Sequence, residues 1–153
     1  TQGARTRGCK EAVGRAVGCS VERPGSQELN GYIDLGVEFR YLCVRKTMFV
    51  KYARVYVIFP GCLGTLDELY ESLTLAQTGK IEHFPIVLFG TEYWTGLLDW
   101  MRRVVLGRRA ISPQDMDLMT LTDDPEEAAA MATRPLPVGI DEPRVGHELV
   151  IVN

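Results

Sequence analysis

The sequence predicts an α/β domain in which a parallel sheet is covered by helices on both faces, the doubly wound class. Short, continuously apolar segments recur along the chain, and stretches with helical spacing separate them. Strands that are apolar at every position are typical of parallel sheets, because such sheets are buried on both faces. The length of 153 residues suits one domain with its own core.

The N-terminal part is predicted to contain a helix, a strand and a long loop. The helix covers Arg5–Val13, and Gly14 follows where a helix C-cap would lie. The short apolar segment Ala16–Val21 is typical of a buried strand. Glu22–Gly36 contains two turn signals with glycine, and we therefore expect it to be a loop.

A helix is predicted over Val37–Tyr52, and it is apolar on nearly every side. A helix of this kind is usually covered on two faces, by its own sheet and by a second partner. We therefore expect a homodimer in which side chains such as Met48 and Phe49 are buried between two copies of the chain.

The rest of the chain alternates strands and helices. The strongest strand signal is Arg54–Phe59, with the sequence RVYVIF. The helix Thr65–Thr78 follows, with Gly79 as its C-cap. The further predicted elements are strand Pro85–Phe89, helix Tyr93–Leu106 with Trp94 and Trp100 as packing residues, an extended piece Met119–Leu121, helix Pro125–Met131 and a C-terminal tail over residues 133–153.

Composition excludes several classes of function. Seventeen basic and twenty acidic residues give a net charge of −3, so non-specific nucleic-acid binding is not expected. No apolar run is long enough for a membrane span, and no secretory signal is recognisable. The four cysteines lack the spacing of metal ligands and are typical of reduced thiols. We therefore expect a cytoplasmic protein without a metal.

One motif in the sequence indicates a functional site. Directly after RVYVIF comes Pro60-Gly61-Cys62-Leu63-Gly64-Thr65-Leu66-Asp67-Glu68, which leads into a helix. A strand, a glycine turn and a helix N-terminus together present backbone N–H groups to an anion, so the motif predicts a phosphate site. A structural interpretation is equally open, in which Thr65 is the N-cap and Glu68 completes a capping box.

A second feature is the pair Arg45-Lys46 within the apolar helix. Two cations on a covered helix need a carboxylate or phosphate partner, although both side chains could also reach the surface. Arginine is the stronger candidate, because its planar fork suits bidentate contacts to phosphate or carboxylate.

The run VRKTMFVKYARVYVIFPGCLGTLDELYESLTLAQTGKI resembles the LOG ("Lonely Guy") family, whose signature is an R-K pair followed by P-G-G-x-G-T-x-x-E. The family contains cytokinin riboside 5′-monophosphate phosphoribohydrolases, called lysine decarboxylase-like in older naming. The resemblance extends from about Gly3 to Ala132. It implies a Rossmann-like parallel sheet, a homodimer with active sites at the subunit interface, and hydrolysis of a nucleoside 5′-monophosphate to free base and ribose 5-phosphate.

The resemblance also implies roles for residues. Arg45 and Glu68 match the catalytic arginine and glutamate, and Lys46 lies beside the arginine. The phosphate-binding residues match Gly61, Leu63, Gly64 and Thr65. No cofactor is implied. The old name would require a Schiff-base lysine for pyridoxal phosphate, and no lysine is identified for that role.

The sequence departs from the family in two places. Cys62 stands where the family has the second glycine of P-G-G, and a side chain there could obstruct a positive φ or the approach of phosphate. The chain also begins at the helix after the family's Gly-rich loop. Two strands would then be absent between Ala16–Val21 and Arg54–Phe59, leaving the first strand unpaired.

Two explanations of the second departure are open. The chain is either a fragment of a longer protein, which we favour, or its sheet has rearranged. We expect the chain of 153 residues to hydrolyse AMP poorly, and a version extended by the family's N-terminal strands to release ribose 5-phosphate. A non-catalytic nucleotide-binding protein of the same fold is the alternative function.

Overall fold

A computed structural model of the chain describes residues 2–22, 30–81, 85–132 and 149–152. The chain divides into two compact units, Thr1–Lys51 and Tyr52–Asn153. The elements of the first unit are α1 (Gln2–Glu11), β1 (Val17–Val21), β2 (Leu35–Phe39) and α2 (Leu42–Tyr52). Those of the second are β3 (Ala53–Ile58), α3 (Leu63–Gln77), β4 (Ile86–Phe89), α4 (Thr91–Trp100), a π-helix (Met101–Leu106), α5 (Pro113–Met116), β5 (Met119–Thr122), α6 (Pro125–Ala132) and β6 (Leu149–Val152).

The first unit contains a parallel pair of strands. β1 pairs with β2 over its whole length, from Val17 opposite Leu35 to Val21 opposite Phe39. The Asp34 carboxylate accepts a hydrogen bond from the Ala16 N–H at 2.8 Å and lies 3.0 Å from the Lys10 ammonium. The hydrogen bond from Ala16 and the contact with Lys10 lower the pKa of Asp34. This carboxylate therefore fixes the start of β1 to the segment that enters β2.

Two sequence predictions for this unit are wrong. The first strand is paired, because β2 forms where a loop and the start of a helix were expected. The segment Leu35–Phe39 contains a glycine and a glutamate and is largely exposed, so it lacks the continuous apolar run that marks a buried strand. The helix consequently begins at Leu42 rather than at Val37. Of the predicted loop, residues 23–29 lie outside the described residues.

The second unit is built on a four-stranded parallel sheet with the order β5-β4-β3-β6. On one face, Val55, Val57 and Val87 pack with Ala128 of α6. On the other face, Tyr56 lies against α3, where the Glu68 carboxylate affects its hydroxyl. The predicted class, α/β with helices on both faces of a parallel sheet, is therefore confirmed.

The strand β6 was not predicted, because the periodicity of residues 133–153 is weak, although the run LVIV at Leu149–Val152 is apolar at every position and is itself a strand signal. Its backbone runs parallel to β3, with Ala53 opposite Leu149 and Val57 opposite Val152. β3 therefore has a neighbour on each edge, β4 and β6. Residues 133–148 of the predicted tail lie outside the described residues.

Two helices, α1 and α3, are each followed by a residue with a left-handed backbone conformation. α3 ends at Gln77 with Thr78 as its C-cap, and the predicted glycine, Gly79, follows with a φ of +64° and a hydrogen bond from the Lys80 N–H to the Leu75 carbonyl at 2.9 Å. α1 ends in the same way, but the left-handed residue is Val13, with a φ of +60°, and not the expected Gly14. Gly14 follows it and donates to the Cys9 carbonyl at 2.8 Å. A β-branched residue in this conformation is strained.

Replacement of Val13 by glycine should therefore stabilise the protein. The left-handed conformation costs an L-residue about 1–2 kcal/mol, and the greater entropy of unfolded glycine offsets part of the gain. We expect the free energy of unfolding in urea to rise by about 1 kcal/mol. The control is Ala12→Gly, which changes the preceding residue and should not stabilise. Equal destabilisation by both substitutions would contradict the explanation.

The predicted helix Tyr93–Leu106 is helical throughout but changes type. α4 ends at Trp100, and the following six residues, Met101–Leu106, form a π-helix. The π-helix is followed by Arg109, the second non-glycine residue with a positive φ, +58°. A capping box between Ser112 and Asp115 then starts α5. The predicted elements β5 and α6 are both confirmed. Among the described residues, no helix has the length and apolar character needed to cross a membrane.

Candidate functional site

The carboxyl ends of β3, β4 and β5 meet at one edge of the sheet of the second unit. In parallel α/β sheets this edge is where ligands bind. β3 leads into the turn at Pro60 and Gly61, β4 into Gly90, and β5 into Asp123. The predicted phosphate turn therefore lies at the expected edge, beside the loop that follows β4.

Gly61 is required by the geometry of this turn. A Cβ atom at Gly61 would lie 2.1 Å from the Thr65 Oγ1 and 2.9 Å from its Cβ. The Thr65 side chain therefore occupies the space that any side chain at position 61 would need. The Gly61 carbonyl also accepts a hydrogen bond of 2.7 Å from the Tyr93 hydroxyl of α4. Tyr93 was not predicted from the sequence as part of the site.

The start of α3 differs from the predicted capping box. The N-cap is Cys62, and α3 begins at Leu63, two residues before Thr65. The Cys62 carbonyl accepts hydrogen bonds from the N–H groups of Thr65, at 2.9 Å, and Leu66, at 3.2 Å. Thr65 is thus inside the first turn, where its side chain packs against Gly61. The prediction that Thr65 caps the helix with Glu68 is wrong, because the glycine turn lets the helix start earlier.

One obstacle expected for a cysteine at position 62, the need for a positive φ, does not arise in the structure. Its φ is −92° and its ψ −168°, an extended backbone that a residue with a side chain adopts freely. Its side chain is exposed at the helix N-terminus. The replacement of glycine by cysteine is therefore compatible with the backbone of the turn.

The first turn of α3 is open on the side of the solvent. Leu63 and Gly64 are both exposed, and an added Cβ at Gly64 would find only the Cys62 Sγ, at 3.9 Å. The N–H groups of the first helical residues have no partner within the helix and carry the positive end of its dipole. This arrangement suits an anion such as a phosphate group.

Glu68 lies one turn further along α3 and is only 3% exposed. Two polar residues buried with it are Tyr56 of β3 and Ser72 of α3. The Ser72 hydroxyl donates to the Glu68 carbonyl at 2.7 Å. Burial raises the pKa of Tyr56 and the Glu68 charge raises it further, while hydrogen bonding with Ser72 acts in the opposite direction. Tyr56 is therefore a neutral phenol beside the Glu68 carboxylate.

The loop after β4 supports the turn from the side. Gly90 has a φ of +109°, and an added Cβ would lie 3.2 Å from the Pro60 ring, so glycine is needed for both reasons. The Asp123 carboxylate accepts hydrogen bonds from the N–H and the hydroxyl of Thr91 at the start of α4. Both hydrogen bonds lower the pKa of Asp123, and the one from the Thr91 hydroxyl has the larger effect. Contacts between the loops that follow β3, β4 and β5 therefore hold this edge of the sheet together.

Arg45 and Lys46 lie on α2, in the first unit. The Arg45 guanidinium lies 5.0 Å from the centre of the Phe49 ring. Burial raises the pKa of Cys19 on β1, and the Arg45 charge opposes this shift. Within the described part of the chain α2 has no buried residue, and Tyr41 is 58% exposed. The apolar surface predicted from the sequence is thus present on α2.

The structure therefore brings together five of the seven predicted site residues, Gly61, Leu63, Gly64, Thr65 and Glu68, in the second unit. The approach of Arg45 and Lys46 to them remains a prediction. No group of three or more metal-ligating side chains is found in the part of the chain that the structure describes.

The family profile described as "Possible lysine decarboxylase" matches residues 2–132. No curated protein matches the chain. The matched region contains every element from α1 to α6, including both the Arg45-Lys46 pair and the glycine turn. The chain therefore belongs to this family, the LOG family.

Proposed function

We propose that the protein hydrolyses the N-glycosidic bond of a nucleoside 5′-monophosphate, giving the free base and ribose 5-phosphate. One observation supports this most strongly. The exposed N-terminus of α3, an arrangement that suits an anion, is followed, one helical turn away, by the buried carboxylate of Glu68. A 5′-phosphate and the ribose attached to it need binding groups in this order. AMP and cytokinin riboside 5′-monophosphates are the substrates we propose.

In the proposed mechanism the phosphate binds to the N–H groups around Leu63 and Gly64. Cleavage of the C1′–N bond develops positive charge on the ribose, and the Glu68 carboxylate stabilises this charge and activates a water molecule for attack at C1′. A carboxylate shielded from bulk water acts more strongly on such a charge than an exposed one. Arg45, with Lys46 beside it, holds the substrate or assists the departing base.

The alternative is a nucleotide-binding protein without catalysis. It is favoured by the same burial of Glu68, since a carboxylate with 3% exposure must be reached by the substrate before it can act. The two functions share the phosphate turn and differ only in what Glu68 does. Both therefore predict AMP binding, and only the first predicts a product.

The test is to incubate the chain, extended by the N-terminal strands of the family, with AMP and to measure adenine and ribose 5-phosphate by chromatography. Adenosine is the matched control substrate, because it lacks the phosphate that the turn is proposed to bind. We expect release of both products from AMP and little from adenosine. AMP binding without either product would support the alternative, and the absence of binding would contradict both.

We also propose that α2 is an interface between two copies of the chain. Tyr41, Leu42, Val44 and Tyr52 are large apolar or aromatic side chains that are exposed on or beside α2. A C2 pairing would cover the same patch on both copies.

The corresponding prediction is that Met48→Asp or Phe49→Asp gives monomers and weakens nucleotide binding, because a charge would be buried in the interface. Sedimentation at micromolar concentration measures the first effect. The control is Thr47→Asp, at an exposed position of the same helix. A wild-type protein that is monomeric with intact nucleotide affinity would show that α2 is covered in another way.

A further inference from the structure

The second unit contains a cavity of about 380 Å³ that is not part of the site above. It lies between the C-terminal half of α3, the end of α4 with the π-helix, and the segment around α5. Its walls are mainly apolar, and its aromatic residues are Tyr70 and Trp100. Trp100 was expected to be a packing residue like the fully buried Trp94, but 47% of it is exposed. A cavity of this size is typical of small-molecule sites.

The backbone around the cavity is irregular. Met101 and Val105, which line it, both belong to the π-helix. π-Helical segments are rare and are frequent at functional sites. The chain then turns through the left-handed Arg109 before Ile111 joins the wall. Two unusual backbone features therefore shape one wall of the cavity.

Among the described residues that line the cavity, Asp115 is the only charged one. Its Oδ2 atom accepts hydrogen bonds from the Ser112 N–H, at 2.7 Å, and from the Gln77 amide, at 2.9 Å. No described residue donates a hydrogen bond to its Oδ1 atom or forms an ion pair with it. The hydrogen bond from Ser112 and that from Gln77 lower the pKa of Asp115, so the carboxylate is ionised at neutral pH.

We propose that this cavity binds a small organic ammonium ion with an apolar body. The body would occupy the apolar walls, and the ammonium group would contact the Asp115 Oδ1 atom near the rings of Tyr70 and Trp100. Aromatic faces attract cations, and a fixed carboxylate adds a direct ion pair. The Asp115 carboxylate in the wall of the cavity would repel an anion of the same shape, so the site would bind the cation in preference.

The test uses 2-phenylethylammonium and 3-phenylpropionate, which have similar size and opposite charge, as probes. The indole N–H signal of Trp100 is followed in ¹⁵N-edited NMR spectra during each titration, with Trp94 as the internal control. We expect saturable shifts of the Trp100 signal with the ammonium probe and at least ~10-fold weaker binding of the carboxylate. Equal binding of both probes, or no shift with either, would overturn the proposal.

Two variants test whether the ammonium probe binds in this cavity. Asp115→Asn keeps an oxygen acceptor for Ser112 but removes the charge, and Trp100→Phe keeps a smaller ring. Each should lower the affinity for the ammonium probe by about 5-fold or more. Binding to Asp115→Asn is followed by the Trp100 signal, and binding to Trp100→Phe is measured by calorimetry. The control is Asp117→Asn, which removes an exposed acid on the same segment that does not line the cavity. Equal weakening by Asp115→Asn and Asp117→Asn would indicate a general charge effect and contradict the assignment.

Discussion

In the chain extended by the family's N-terminal strands, replacement of Glu68 by glutamine should lower the rate of AMP hydrolysis by at least ~100-fold, because an amide can neither accept a proton from water nor balance positive charge on the ribose. Glutamine keeps the volume of the side chain, and the hydrogen bond from Ser72 goes to the backbone carbonyl, which the substitution leaves in place. We expect the free energy of unfolding to change by less than about 1.5 kcal/mol, the usual limit for volume-conserving core substitutions. Product release and urea unfolding measure the two effects.

The control for this prediction is Asp67→Asn, which removes a neighbouring carboxylate that is exposed. It should leave the rate within a few-fold of the wild-type value. A parallel loss of activity and stability in Glu68→Gln would mean that Glu68 acts as a structural residue. An unchanged rate would remove it from the mechanism.

Replacement of Gly61 by alanine should disrupt the phosphate turn. The new methyl group would lie 2.1 Å from the Thr65 hydroxyl oxygen, so the turn or the first turn of α3 must move. Overpacking of this kind typically costs about 1–3 kcal/mol, and the N–H groups that are proposed to bind phosphate would be displaced with it. We expect lower stability in urea and a loss of AMP binding by calorimetry.

Gly64→Ala is the matched control, because its methyl group meets no atom closer than the Cys62 Sγ at 3.9 Å. It should leave stability unchanged or slightly higher, since alanine favours the helix. Any loss of AMP binding in Gly64→Ala would then report the close approach of the ligand to the helix. Equal stability of the two variants would show that the turn adapts to a side chain at position 61.

The strands of the second unit could be predicted because their apolar runs are continuous. β3, β4 and β5 were found within one or two residues, and the glycine turn after β3 identified the edge of the sheet at which the candidate site lies. β2 and β6 were missed for a different reason. The half-exposed segment Leu35–Phe39 has no continuous apolar run and forms a strand because a partner strand is present. The segment Leu149–Val152 is apolar at every position, but it is only four residues long and follows a stretch of weak periodicity.

The candidate site shows the same division between local and long-range features. Gly61 and Glu68 could be found because they belong to one contiguous motif. Tyr93, which donates to the Gly61 carbonyl, and Tyr56, which lies beside Glu68, come from other elements and reach the motif only in the folded chain. The start of α3 was misplaced because a threonine followed by a glutamate three residues later resembles a capping box, whereas the helix begins at Leu63.

The pairing of β6 with β3 has a consequence for the order of events during synthesis. Val57 lies opposite Val152, so the strand that leads into the phosphate turn acquires its second neighbour only after almost a hundred further residues have been added. Closing such a long stretch of chain is entropically costly and slow compared with pairing of β3 with β4. Until then no other described strand covers this edge of β3, and an unpaired edge can pair with strands of other molecules. The segment Leu149–Val152 is thus the last described strand to join this sheet, and its pairing covers an edge that would otherwise favour aggregation.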